Sequence, residues 1–317
     1  MKTSPAHDSQ IRNPHSQPNM PLPIFHATAN LVNLFFLVRG PHNKLVPNLT
    51  LADCTVDEDN TKQVLQNFTP KSDRPLTIGI LLDTSLSQQH VLPAEQQAAA
   101  AFLRRILRPK DEAFLIGFDV DVTLLADLTG SPRDLKRAID DAGINSASGN
   151  YANGTIPSIG KPKGTLLYDA VYLAANDKLR HETGRKVLVL LTNGEDEGSQ
   201  TRLKSAIEAA QKANAIVYVL LIQDPGVYGI SDDYGAGPMR KLAVATGGQV
   251  FKIGANGRKM EAAFEEIESE LRTQYQTTYT PTNSKKDGTY RHIHIDCHQN
   301  GRDLHVQARQ GYYAEKK

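Results

Sequence analysis

Asp83, Ser85 and Ser87 follow directly on the apolar run Thr77-Ile-Gly-Ile-Leu-Leu. A near-continuous run of this kind reads as a strand buried on both faces. Its end carries one carboxylate and two hydroxyls on a single tight loop. Hard oxygen ligands with little negative charge suit a small divalent cation that keeps positions open for water or a partner's carboxylate.

The elements that must position this loop alternate between strand and helix. Residues 94–107 read as a helix, with Pro93 at its first turn and Ala98, Ala101, Phe102 and Ile106 at the helical period. Apolar runs at 112–118 and 122–126 follow. Ser131-Pro132-Arg133-Asp134 has the form of a helix start, opening a helix to about Ala142. Residues 165–179 read as helix, 186–191 as the most apolar strand, 202–214 as helix and 215–222 as strand. Residues 239–246, 249–253 and 260–275 read as helix, strand and helix. Apolar strands alternating with amphipathic helices predict a doubly wound, mostly parallel, Rossmann-like sheet. Ligands of such sheets bind beyond the carboxyl ends of the strands, where Asp83 stands.

The two flanks have a different pattern. Short alternating runs at 29–38, 54–58 and 63–68, and at 276–280, 290–298 and 304–313, are antiparallel β signals. Each flank is short for independent folding. The expectation is one small antiparallel β-sandwich, 24–74 plus 276–315, with an α/β domain of residues 75–275 inserted into it. Residues 1–23, rich in Pro, Ser, Asn and His, read as a disordered arm. Cys54 and Cys297 then fall in the same module. They form either a disulfide or two separate buried thiols. His292, His294 and His298 share the strand face opposite Cys297, as a solvated stripe.

Composition narrows the function. The 317 residues carry a formal net charge of +1, so no basic field attracts nucleic acid or anionic membrane. Trp is absent and aromatics make up 6%, which gives no stacking platform for bases. No run approaches the roughly 18 apolar residues of a spanning helix. No Gly-x-Ser-x-Gly elbow, His-Glu-x-x-His or phosphate-binding Gly-rich loop is present. Asn48, Asn67 and Asn153 head formal glycosylation sequons, a number that chance alone can give in 317 residues.

Asp83-Thr84-Ser85-Leu86-Ser87 resembles the metal-ion-dependent adhesion site of von Willebrand factor A domains, whose first motif is Asp-x-Ser-x-Ser. Gly164-Thr165 matches the family's separate Thr element. Leu190-Leu191-Thr192-Asn193-Gly194 matches the third element, with Asn193 where the family has Asp. The resemblance covers about 75–275. Segments 46–53, 55–59, 279–283 and 306–313 extend it to about 24–313, in the manner of a mostly exported bacterial VWFA-related subfamily. It implies a non-enzymatic adhesion module, secreted, periplasmic or on the cell surface. A divalent cation, Mg²⁺ ahead of Mn²⁺ or Ca²⁺, would be held by Asp83, Ser85, Ser87, Thr165 and Asn193. In the family, Ser85 and Ser87 would bind directly, Asp83 through water, and Thr165 in one conformational state. An Asp or Glu of a protein partner would complete the shell.

Asn193 lowers the motif's charge from two negatives to one, and Glu195 and Asp196 are the neighbouring acids available to substitute. Leu86 places an apolar side chain beside the site. The long loops at 145–164 and 224–238 should lie at the same edge, with Tyr151, Tyr228, Asp232, Asp233 and Tyr234 as partner contacts. Two alternatives stand beside the adhesion reading. One is a metal-free scaffold in an envelope or secreted assembly, its site decayed at Asn193. The other is a Mg²⁺-dependent phosphatase with Asp83 as nucleophile, for which Ser85 occupies the place of the expected second Asp.

Overall fold

The computed structural model describes residues 31–70, 73–144, 164–222, 235–254 and 256–316. Strands β1 (Val32–Arg39), β2 (Cys54–Glu58), β3 (Thr61–Lys62) and β4 (Leu65–Thr69) come first. The central part follows as β5 (Leu76–Asp83), α1 (Leu92–Ile106), β6 (Glu112–Phe118), β7 (Val122–Thr129), α2 (Pro132–Asp141), α3 (Leu167–Leu173), β8 (Arg185–Thr192), α4 (Leu203–Lys212), β9 (Ala215–Leu221), α5 (Ala236–Thr246), β10 (Val250–Lys252) and α6 (Gly257–Thr273). The chain closes with β11 (Tyr275–Tyr279), β12 (Tyr290–Gln299), β13 (Arg302–Ala308) and β14 (Gly311–Tyr313).

The central sheet runs β10-β9-β8-β5-β6-β7. All its pairs are parallel except β6 with β7. Every residue of β5 and β8 is buried, as their apolar runs require. Side chains alternate along β5. Ile78, Ile80 and Leu82 pack with α1, α2 and α6, while Leu81 packs on the side of α3, α4 and α5. Burying each such side chain contributes about 1.5–3 kcal/mol. Gly79 is required for closeness, because a Cβ there would lie 2.3 Å from Phe114 Cζ. Helix α3 starts at Leu167 and passes into a π-helical turn at Ala174–Leu179.

The flanks correct the sandwich expectation. They form one eight-stranded antiparallel sheet, β3-β2-β12-β13-β1-β11-β4, with β14 also paired to β12. β1 bonds both β13 and β11, so the two halves join through it rather than facing each other as layers. Strands this short and few have one apolar face each. The sheet curls, and that face closes over Leu34, Phe36, Val56, Tyr275, Tyr279 and Ile295. The 3-10 turn Leu51–Asp53 packs against β2, β4 and β12. The run read as one strand at 304–313 divides into β13 and β14.

The cysteine alternative resolves to a disulfide. Cys54 and Cys297 face each other in the β2–β12 register with a Cα–Cα distance of 4.1 Å, and their sulfurs are bonded. His292, His294 and His298 lie on the exposed face of β12 while Cys297 points inward.

Candidate metal centre

Strands β5 and β8 are neighbours in the sheet, so their C-terminal ends bring Asp83, Thr192 and Asn193 to one edge. Asp83 is fully buried. Its Oδ1 accepts from the Ser85 backbone N–H at 3.1 Å and from Ser85 Oγ at 2.5 Å. Its Oδ2 accepts from Thr192 Oγ1 at 2.9 Å. Ser85 Oγ lies 2.9 Å from Ser87 Oγ, and Asn193 Nδ2 donates to Ser87 Oγ at 3.4 Å. The structure thus joins Asp83, Ser85, Ser87 and Asn193 in one hydrogen-bonded chain.

Asn193 is turned so that its oxygen accepts from the Glu195 N–H at 2.9 Å, while Nδ2 faces Ser87 and Glu195 Oε2. Gly194 follows with φ of +83°, a left-handed turn that suits glycine, and Gly235 packs against it. Thr165 stands on a second loop, tied to the β8–α4 loop by reciprocal backbone bonds with Glu197 of 2.9 and 3.0 Å. Asp196 is spent elsewhere. It accepts from the Tyr168 N–H at 2.9 Å and from Ser199 Oγ at 2.6 Å, capping the start of α3. Tyr151, Tyr228, Asp232, Asp233 and Tyr234 lie outside the described residues.

Three further residues shape the site. Thr192 supplies the donor to Asp83. Asp119, after β6, accepts from Thr84 Oγ1 at 2.6 Å, and its charge reaches Asp83. Glu95, in the first turn of α1, is fully buried, and neither carboxyl oxygen has a hydrogen-bond partner. Sequence carried a signal for Glu95. It interrupts the buried stripe Leu92, Ala98, Ala99 and Phe102 at the helical spacing.

Burial pushes Asp83 up to about 6, against the pull of the Ser85 and Thr192 hydrogen bonds, and Asp119 adds to the rise. Burial, then Asp83, raises Glu95 well above the carboxylate range. Burial and Glu197 raise Glu195, opposed by its bond from Asn193. Among the described residues, the charged groups named as acting on Asp83 and Glu95 are acids, Asp119 and Asp83. Such a cluster is complementary to a cation. Among the described residues no group of three or more His, Cys, Asp or Glu is arranged to hold a metal, so any cation here would rest largely on hydroxyl oxygens.

The parallel sheet and its helices on both faces coincide with solved structures. A proximal thread matrix protein from the mussel byssus aligns with a TM-score of 0.50 and 14% identity, over 68% of this chain and 51% of that one. The fold of the central domain is von Willebrand factor A-like. A von Willebrand factor type A protein from Catenulispora acidiphila aligns at 0.48 with 12% identity, over 85% of this chain and 76% of that one. The protein BatB from Bacteroides thetaiotaomicron aligns at 0.47 with 19% identity, over 62% of this chain and all of that one. At these identities the likeness is one of fold. The chain spans about half the length of the mussel protein. No protein-family model and no curated protein matches the sequence. In this von Willebrand factor A-like domain the hydroxyl site occupies the strand edge that open α/β sheets offer to ligands.

Proposed function

We propose that the chain is a non-enzymatic, metal-dependent protein-binding module. Asp83, Ser85, Ser87 and Thr165, with Asn193 beside them, would hold a divalent cation, Mg²⁺ by preference. A bound cation would offset the charge of the acids here and offer its open positions to an Asp or Glu of a protein partner. The observation that carries this reading is Asp83. It is a fully buried carboxylate bonded by hydroxyls and neighboured by a further acid, Asp119, among the described residues. Ser85 and Ser87 hold their oxygens within 2.9 Å of each other, as hard donors of one site. Asn193 turns its amide nitrogen inward, which lowers the affinity expected of this set.

A nucleophilic role for Asp83 is the weaker reading, since both of its oxygens already accept hydrogen bonds and the carboxylate has no exposed surface. The Cys54–Cys297 disulfide supports an oxidising, extracytoplasmic location. No helix among the described residues is long and apolar enough to cross a membrane.

Titration calorimetry of Mg²⁺, Mn²⁺ and Ca²⁺ into chelator-stripped protein tests the proposal. Saturable binding that disappears in Ser85→Ala supports it. A wild type that binds none of the three, beside an Asn193→Asp variant that does, would assign the chain to the metal-free scaffold.

A further inference from the structure

Asn193 is followed by a glycine. A side-chain amide in that position is open to attack by the next main-chain nitrogen, because no Cβ on the following residue blocks the approach. Among the described residues Asn-Gly occurs at 193, 256 and 300. Two of these pairs are committed to structure. Asn256 Oδ1 accepts from the Arg258 and Lys259 N–H groups at 3.0 and 3.3 Å, capping α6. Asn300 and Gly301 join β12 to β13 in left-handed backbone, with φ of +53° and +71°, as a tight hairpin requires.

At 193 the surroundings match the steps of the reaction. The attacking atom is Gly194 N. Its N–H donates to Thr192 Oγ1 at 3.0 Å, and that hydroxyl donates in turn to Asp83 Oδ2 at 2.9 Å. The proton that the nitrogen must shed therefore already points at an acceptor, itself joined to a buried carboxylate. Attack on Asn193 Cγ places negative charge on Oδ1, which accepts from the Glu195 N–H at 2.9 Å. The leaving atom, Nδ2, donates to Glu195 Oε2 at 3.3 Å and to Ser87 Oγ at 3.4 Å. Gly194 holds φ at +83°, and a Cβ there would lie 3.0 Å from Gly235 O, so the turn favours the one residue type that leaves its nitrogen open. Glu195 is partly exposed, which gives water a path to the loop.

We propose that Asn193 is a self-processing position: the folded chain converts its amide to a carboxylate and so completes the acidic set of the metal centre. In the first step Gly194 N bonds to Asn193 Cγ and the Cγ–Nδ2 bond breaks. Ammonia departs with the proton shed through Thr192, and a cyclic succinimide remains. Water then opens the ring. Addition at Cγ leaves an aspartate at position 193; addition at the main-chain carbonyl carbon leaves an isoaspartate there. Water is the only co-reactant. The gain for a cation rests on the metal-binding reading above; the conversion itself does not.

The test incubates the full chain at neutral pH in heavy-oxygen water and follows the three Asn-Gly peptides by mass spectrometry. The expected result is one heavy oxygen at 193, gained at about ten times the rate at 256 and 300, the advantage one well-placed hydrogen bond gives a transition state. In urea, where all three pairs lose their surroundings, that lead should vanish. Thr192→Val should slow conversion at 193 about tenfold. No conversion at 193, a rate there no higher than at 256 and 300, a lead that survives in urea, or a wild-type rate in Thr192→Val overturns the proposal. Should Thr192→Val fail to fold, the urea comparison decides. Titration calorimetry with Mg²⁺ before and after incubation separates this inference from the reading it rests on. Affinity that rises about tenfold with conversion supports the completed site. Mg²⁺ binding that conversion leaves unchanged overturns the completed site alone. Conversion with no Mg²⁺ binding before or after overturns the metal-binding reading as well.

Discussion

Thr192 Oγ1 donates to Asp83 Oδ2 at 2.9 Å, joining the ends of two adjacent strands across 109 residues of sequence. The same hydroxyl accepts from the Gly194 N–H at 3.0 Å, so it also sets the turn after Asn193. Thr192→Val keeps the shape and removes both bonds. Leaving a buried carboxylate oxygen unsatisfied costs about 1–3 kcal/mol. Denaturant unfolding should show that loss, and Thr192→Ser should restore most of it. An unchanged midpoint in Thr192→Val would remove this hydroxyl from the account of the site.

Asn193→Asp restores a second negative charge next to Ser87 and Glu195. Without metal the variant should be less stable than wild type, because the new carboxylate then stands beside Glu195 and the other acids of this edge. With Mg²⁺ the order should reverse, and affinity should rise about tenfold, or 1.4 kcal/mol. Thermal unfolding in chelator and in excess Mg²⁺, run side by side, reads both signs.

Glu270 of α6 gives a pH prediction at a distance from the metal site. It pairs with Arg39 of β1, accepts from Gln249, and is fully buried. Burial raises it from 4.5 to about 7, with Glu266 adding to the rise and Tyr218 and Arg39 opposing it. Its Oε2 has no acceptor or donor partner, which leaves room for a proton there. The folded state holds that proton more tightly than the unfolded chain does. This contribution to stability is present in full below about 4.5 and is lost as pH rises through about 7. The whole span is on the order of 3 kcal/mol. Glu270→Gln should flatten the stability–pH curve between these limits, as measured by denaturant midpoints at half-unit steps. A curve parallel to wild type would refute the assignment.

The disulfide closes a loop that contains the entire central domain. When only the curled sheet opens, the folded domain already holds the loop's ends near each other. Reduction should therefore destabilise by about 2–4 kcal/mol rather than the larger value a free loop of this length implies. Cys54→Ser with Cys297→Ser should lower the midpoint by that amount and expose β12 amides to hydrogen exchange before those of β5 and β8.

Asp83, Ser85 and Ser87 were legible in the sequence because all three lie on one short loop after an apolar strand. The parallel sheet was legible for a similar reason: its strands are buried on both faces and so are apolar throughout. Thr192 and Asp119 were not visible as partners of Asp83 and Thr84. Their contacts arise only when β5 is flanked by β8 and β6, and no local pattern records that adjacency. Asn193 was visible as a missing charge, but not as an amide turned with its nitrogen inward. That orientation depends on the Glu195 N–H two residues on. The flanking strands were found from alternation, yet alternation gives a face and not a partner. It cannot say whether those faces meet as two layers or as one sheet curled on itself.

The Cys54–Cys297 bond also fixes the path of mechanical load. Tension applied along the chain, from before Cys54 to beyond Cys297, passes through the disulfide and never enters residues 55–296. The von Willebrand factor A-like domain then hangs as a side loop on a covalent line. It can be pulled through a bound partner, but not unravelled by its own ends.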